Sequence, residues 1–144
     1  MATDGKIVTE LDDEYLTIWC YPAQGLLHHR WKKFCTGEPF RQYLLRSAEA
    51  FEKHNCFKWL SDDREFNGTV ATEDWKWGQV HFAQRCVDAG WKYHALVLPE
   101  KALAKTSIRA LTIYFSQMGI EIEVFADPSP AQKWIAGKLR PLRR

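Results

Sequence analysis

The chain has 144 residues, 46% hydrophobic and 26% charged, a size and balance that fit one globular domain and exclude a disordered chain. The formal net charge of +2 is too small to mark a nucleic-acid binder, and no apolar run approaches the roughly 20 residues of a membrane-spanning helix. Aromatic residues reach 14%, with seven Trp, enough either to thicken a small core or to line a pocket.

The opening "MATDGKIVTELDDE" has no basic segment followed by an apolar one, so no signal peptide is expected and the location is read as cytoplasmic. Cys20, Cys35, Cys56 and Cys86 form no CxxC pair and are expected to be free, partly buried thiols. No repeat or linker divides the chain. One domain is expected, ordered over about residues 6–137, with a basic tail at 138–144 that carries Lys138, Arg140, Arg143 and Arg144. That tail reads either as a contact for acidic partners or as a solvated, frayed end.

Two strands are predicted first, over 7–11 and 14–22, because Leu16, Ile18 and Cys20 alternate with Thr17, Trp19 and Tyr21. Asp12 and Asp13 make the turn between them. "LLHHRWKKF" is ambiguous: Leu27, Trp31 and Phe34 fit a helical face, while Leu27, His29, Trp31 and Lys33 alternate as on a strand. A helix over 37–55 follows, capped by Thr36, with Phe40, Tyr43, Leu44, Ser47 and Phe51 on one face and Asn55 as its stop. "CFKWL" reads as a short strand and "SDDREFNGTVA" as a loop. Thr72 opens the next helix, with Glu73 and Asp74 in its first turn, Trp75, Phe82 and Cys86 facing inward, and Gly90 at its end. A buried strand over 91–99, a helix over 106–118 and a strand over 120–126 complete the alternation. Ser129-Pro130-Ala131-Gln132 reads as a capping box that opens a last helix. The fold class is therefore α/β: a mixed sheet with antiparallel N-terminal strands followed by a parallel βα portion, and about four helices.

This order, with "RWKKFCTGEPFRQYL" at 30–44 and "KWLSDDREFNGTVATEDWKW" at 58–77, resembles the STAS-like (SpoIIAA-like) superfamily, in particular its small bacterial members of unassigned role. The likeness rests on Trp31 and Phe34 and on the "W-L-x-D-x-R" strand end formed by Trp59, Leu60, Asp62 and Arg64. It spans roughly residues 10–137 and implies that "LLHHRWKKF" is a third strand. Regulatory STAS domains are protein-binding switches controlled through a Ser in a D-S-x-x-L motif. That motif is missing, and Ser61 is the nearest candidate. The same fold also builds lipid pockets in CRAL-TRIO proteins, so fold alone does not decide function.

Three readings compete for the strand end and its loop. As a partner or ligand site it would use Trp59, Ser61, Asp62, Asp63, Arg64 and Phe66, with Trp75 and Trp77 on the next helix. As an acid–base centre, Asp62 or Asp63 would need divergent pKa values, but neighbours on a strand point to opposite sides. As plain structure, one Asp caps the loop and Arg64 pairs with the other. Phosphorylation of Ser61 would add charge beside two acids. His28 and His29 face opposite ways on a strand, bind no common metal, and are expected to blunt a sheet edge. No nucleophile elbow, P-loop or dinucleotide fingerprint is present, and no cofactor is expected. The expected function is a non-enzymatic interaction module that binds a protein partner or a second copy of itself. The competing expectation is a carrier or sensor of a small apolar ligand held by Trp59, Phe66, Trp75, Trp77 and Tyr93. An enzyme using Asp62 or Asp63 stands third.

Overall fold

A computed structural model describes residues 5–103 and 107–142. The six strands among them form one sheet in sequential order: β1 (Val8–Asp12), β2 (Leu16–Tyr21), β3 (Leu26–Trp31), β4 (Lys58–Asp62), β5 (Tyr93–Val97) and β6 (Glu121–Phe125). The first three pair antiparallel and the last four parallel, so the mixed α/β sheet read from the sequence is the fold. Asp13 closes the first hairpin, its Oδ1 accepting from the backbone N–H groups of Tyr15 and Leu16 at 2.8 and 3.0 Å.

The residues 26–31 are a strand, as the family likeness implied and helical periodicity did not. Their apolar residues are needed on both faces of a central strand, which blurs a period of two. β3 lies between β2 and β4, so His28 and His29 guard no edge. They do point to opposite faces.

Besides two short 3-10 turns, the described residues form four longer helical segments. α1 (Gly37–Lys53) crosses from β3 to β4. From β4 to β5 runs a rod made of α2 (Thr72–Gly78), a π turn (Gln79–Ala83) and α3 (Gln84–Asp88). α4 (Ser107–Gln117) joins β5 to β6, and α5 (Pro128–Ala136) follows β6. Each of the three crossovers steps one strand in the same direction. A right-handed connection therefore places all three on the same face of the sheet. That face holds the larger core: Leu16, Ile18, Cys20, Leu27 and Trp59 from the strands meet Phe40 and Phe51 of α1 and Cys86 of α3. α5 returns over the other face, where Ala131 and Ile135 pack on Leu26, Leu60, Ala95 and Val97.

Helix ends are made differently from the sequence expectation. Thr36 does not cap α1 with its hydroxyl. Asp74 does so from α2, its Oδ2 accepting from Gly37 N at 2.9 Å and from the Thr36 hydroxyl at 3.0 Å, and its Oδ1 from Arg41 Nε at 2.9 Å. The expected box at Ser129 is not the start of α5 either: the N-cap is Asp127 and Pro128 opens the first turn, where its missing N–H costs nothing. At the far end, Lys58 is buried and its Nζ donates to the carbonyls of Ile135 and Lys138 at 2.8 and 3.1 Å, which suits the negative end of a helix. Asn55 does stop α1, at φ +51°.

The basic tail is anchored where it is described. Arg140 donates to the Asn55 carbonyl at 2.7 Å and lies over the Phe57 ring, and Lys138 bonds Glu121. Arg143 and Arg144 lie outside the described residues. Among the described residues no helix is long and apolar enough to cross a membrane.

Candidate functional site

The strand end at 58–64 divides between the two faces of the sheet. Ser61 is in register with His29 on β3 and Leu96 on β5 and faces the larger core. Its hydroxyl lies 2.7 Å from His94 Nε2, and both residues are buried. Beside it the Trp59 indole, which has only a donor, gives its N–H to His29 Nδ1 at 2.9 Å. The other nitrogen, Nε2, is left to donate to Asp63 Oδ1 at 3.1 Å. Asp62 points to the opposite face. Burial works against its charge, but Arg64 holds it below the usual carboxylate range with Nε and Nη2 at 2.9 and 2.8 Å.

Asp62 and Asp63 thus do not share a site, and each is taken up by a partner of its own. His94 is pushed down to about 3 by burial, with the nearby His29 adding to the shift, so it carries no charge at neutral pH. Its Nδ1 has no hydrogen-bond partner. A Ser–His pair without a carboxylate behind the imidazole and without access to solvent holds strand ends together. It is not a poised nucleophile.

The aromatic residues expected to form one ligand site are dispersed. Trp59 is at the centre of the core, stacked on Phe51 with ring centroids 5.0 Å apart. Phe66, expected in an open loop, is buried against Trp31, Phe34 and Phe40, because the chain after β4 folds back over the start of α1. Tyr93 faces the α5 side, packed on Phe57. Trp77 is half-buried between His81 and Arg41. Trp75, expected to point inward with Phe82 and Cys86, is 39% exposed.

The π turn explains that last displacement. Buried positions along the rod run Asp74, Gly78, Ala83 and Cys86, steps of four, five and three. The wider turn takes in about one extra residue and rotates α3 by roughly 100° relative to α2. Trp75 and Phe82 therefore leave a common stripe.

Between the rod and α4 a cavity of about 130 Å³ remains. Phe40, Leu44, Val70, Gln79, Phe82, Trp91, Tyr114 and Phe115 provide most of its wall, and the exposed Trp75 stands where it meets the surface. The wall exposes apolar atoms only. Asp74 borders it, but its carboxylate is turned to the N-terminus of α1. Of the residues expected to hold an apolar ligand, Trp75 alone lines this cavity. The rest of the wall was not legible in the sequence, since Phe40, Phe82 and Phe115 read as ordinary core positions and nothing local announces a π turn. A second, larger groove of about 470 Å³ between β1 and α1 is lined by Glu10, Arg46, Glu49, Ala50 and Lys53. Its charges answer one another: Glu10 pairs with Lys53 and His54.

Comparison with known proteins returns no match: no family model, no curated protein and no solved structure is significantly similar to the chain.

Proposed function

We propose that this protein binds a small apolar ligand in the cavity between α2, the π turn and α4, and acts as its carrier or sensor. The cavity itself carries the reading. Its wall exposes apolar atoms only, and its volume of about 130 Å³ is close to the roughly 150 Å³ of an enclosed apolar cavity that takes up benzene, although this one opens to the surface beside Trp75. π turns gather at functional sites, and this one forms part of the wall through Gln79, Phe82 and Ala83.

The test is a titration with toluene, followed by NMR shifts of the wall residues. Saturable binding is expected in the wild type. It is expected to vanish in Ala83→Leu, which fills the cavity from its floor and raises the melting temperature. Lack of binding by toluene, cyclohexane and xenon alike overturns the reading.

A second reading keeps the STAS-like expectation of a module that binds a protein partner or itself. It is supported by exposed apolar residues on the same elements: Trp75 at 39%, Val80 at 70% and Ile113 at 51%. Sedimentation equilibrium of wild type and Val80→Glu tests it. A monomer in both cases counts against self-association.

A further inference from the structure

After α5 the chain runs as a tail, 137–142, past the end of the sheet where β4, β5 and β6 begin. Two cations hold it there. Lys138 Nζ donates to Glu121 Oε2 at 3.0 Å and lies 4.6 Å over the Trp134 ring. Arg140 Nη2 donates to the Asn55 carbonyl at 2.7 Å, and its guanidinium lies 4.6 Å over the Phe57 ring. Gly25 leaves room for this contact: a Cβ there would fall 2.6 Å from the Phe57 ring and 2.9 Å from Arg140 Nη2.

The pattern of the tail reverses that of an ordinary soluble surface. Its cations turn onto the protein and its apolar residues turn to water. Leu139 is 79% exposed and Leu142 95%, the two most exposed large apolar side chains among the described residues. A single exposed leucine is common on any surface. Here the pinned neighbours Lys138 and Arg140 keep Leu139 from turning inward.

This end of the sheet is also positive. Arg140, Lys92 and the buried Lys58 give their hydrogen bonds to backbone carbonyls, that of Lys92 going to Gly119 at 3.1 Å. Those bonds satisfy the donors without bringing an opposite charge. Lys133 is exposed in the last turn of α5, and Arg143 and Arg144 follow directly in the sequence. Glu121 offsets Lys138.

We propose that the tail docks on an anionic lipid surface, with Leu139 and Leu142 sunk into the boundary between head groups and acyl chains and the surrounding cations drawn to the head groups. The leucines select this partner. They project from the protein, and a lipid boundary takes in projecting apolar groups without a shaped pocket. A nucleic acid would answer the cations and leave both leucines in water. The attachment is peripheral and reversible. Each cation near an anionic surface contributes about fivefold in partitioning, and the leucines add to this through burial. None of these residues lines the cavity, so the proposal is independent of the ligand-binding reading.

Cosedimentation of the full chain with sucrose-loaded vesicles tests it, using phosphatidylcholine alone and phosphatidylcholine with about one third phosphatidylserine. Wild type is expected to partition at least about tenfold more strongly onto the anionic vesicles, and to lose most of that preference when salt rises from about 0.1 to about 0.5 M. Leu139→Ser/Leu142→Ser is expected to weaken binding to the anionic vesicles about tenfold or more with an unchanged melting temperature, since both side chains are exposed. Arg143→Ala/Arg144→Ala is expected to weaken it by a similar factor. Equal partitioning onto both vesicle types overturns the proposal, as does a leucine variant that binds like wild type. A wild type that ignores the anionic vesicles, whether or not it binds a short single-stranded RNA, overturns it as well.

Discussion

Asp74 on α2 completes the first turn of α1 from outside it, its Oδ2 lying 2.9 Å from Gly37 N. The contact ties together two helices that border the cavity. Gly37 sits at φ +70°, and its N–H is one of the donors a helix start leaves unsatisfied. Replacing Asp74 with Ala removes a charged acceptor from three donors at once. A loss of about 2–4 kcal/mol is expected, measured by urea unfolding, with Asp74→Asn intermediate. An unchanged midpoint in Asp74→Ala would mean that water caps α1 equally well.

Packing sets the expectation for Phe66 in the same way. Its ring meets those of Trp31 and Phe34 at 5.0 Å and Phe40 at 5.9 Å. Phe66→Ala is expected to cost about 3–5 kcal/mol. As an open-loop residue, it would cost almost nothing. Thermal denaturation separates the two outcomes plainly.

Acid is expected to act through His94. Burial holds its folded pKa at about 3, while an unfolded histidine takes up a proton near 6.5. Between those values the unfolded chain binds more protons, so stability is complete above about pH 6.5 and falls as the pH drops toward 3. The loss from pH 7 to pH 5 is about 2 kcal/mol for such a group. His28, lowered to about 4 by burial, with His29 adding to the shift and Asp62 opposing it, works in the same direction with a smaller share because it is only half-buried. Stability against pH for His94→Gln is expected to show a shallower slope across this window. An identical slope would place the acid sensitivity elsewhere.

Gly78 offers a change in the opposite direction. It sits in helical conformation at φ −62°, and an added Cβ would meet Leu44 Cδ1 at 3.6 Å, an ordinary contact. Gly78→Ala is expected to stabilise by about 0.4–1 kcal/mol through the unfolded chain. Because both residues line the cavity, the same change is expected to narrow it slightly. A destabilised variant would show that the turn before the π segment needs the freedom of glycine.

What the sequence determined was the fold class and most of its boundaries. Alternation in β2 and β6, left-handed stops at Asn55, Gly90 and Gly119 and the helix–strand rhythm after residue 37 are local signals, each written within a few residues of its effect. β3 needed more than periodicity, because a strand buried on both faces loses its period. The site was decided by tertiary structure alone. Ser61 meets His94 across two strands, Asp74 caps a helix 37 residues earlier, and the cavity wall joins Phe40, Val70, Trp91 and Tyr114 from separate segments. The last two depend on how far a helix is rotated about its axis. Here a single π turn set that rotation, moving Trp75 outward to the mouth and leaving a space behind it that no local pattern records.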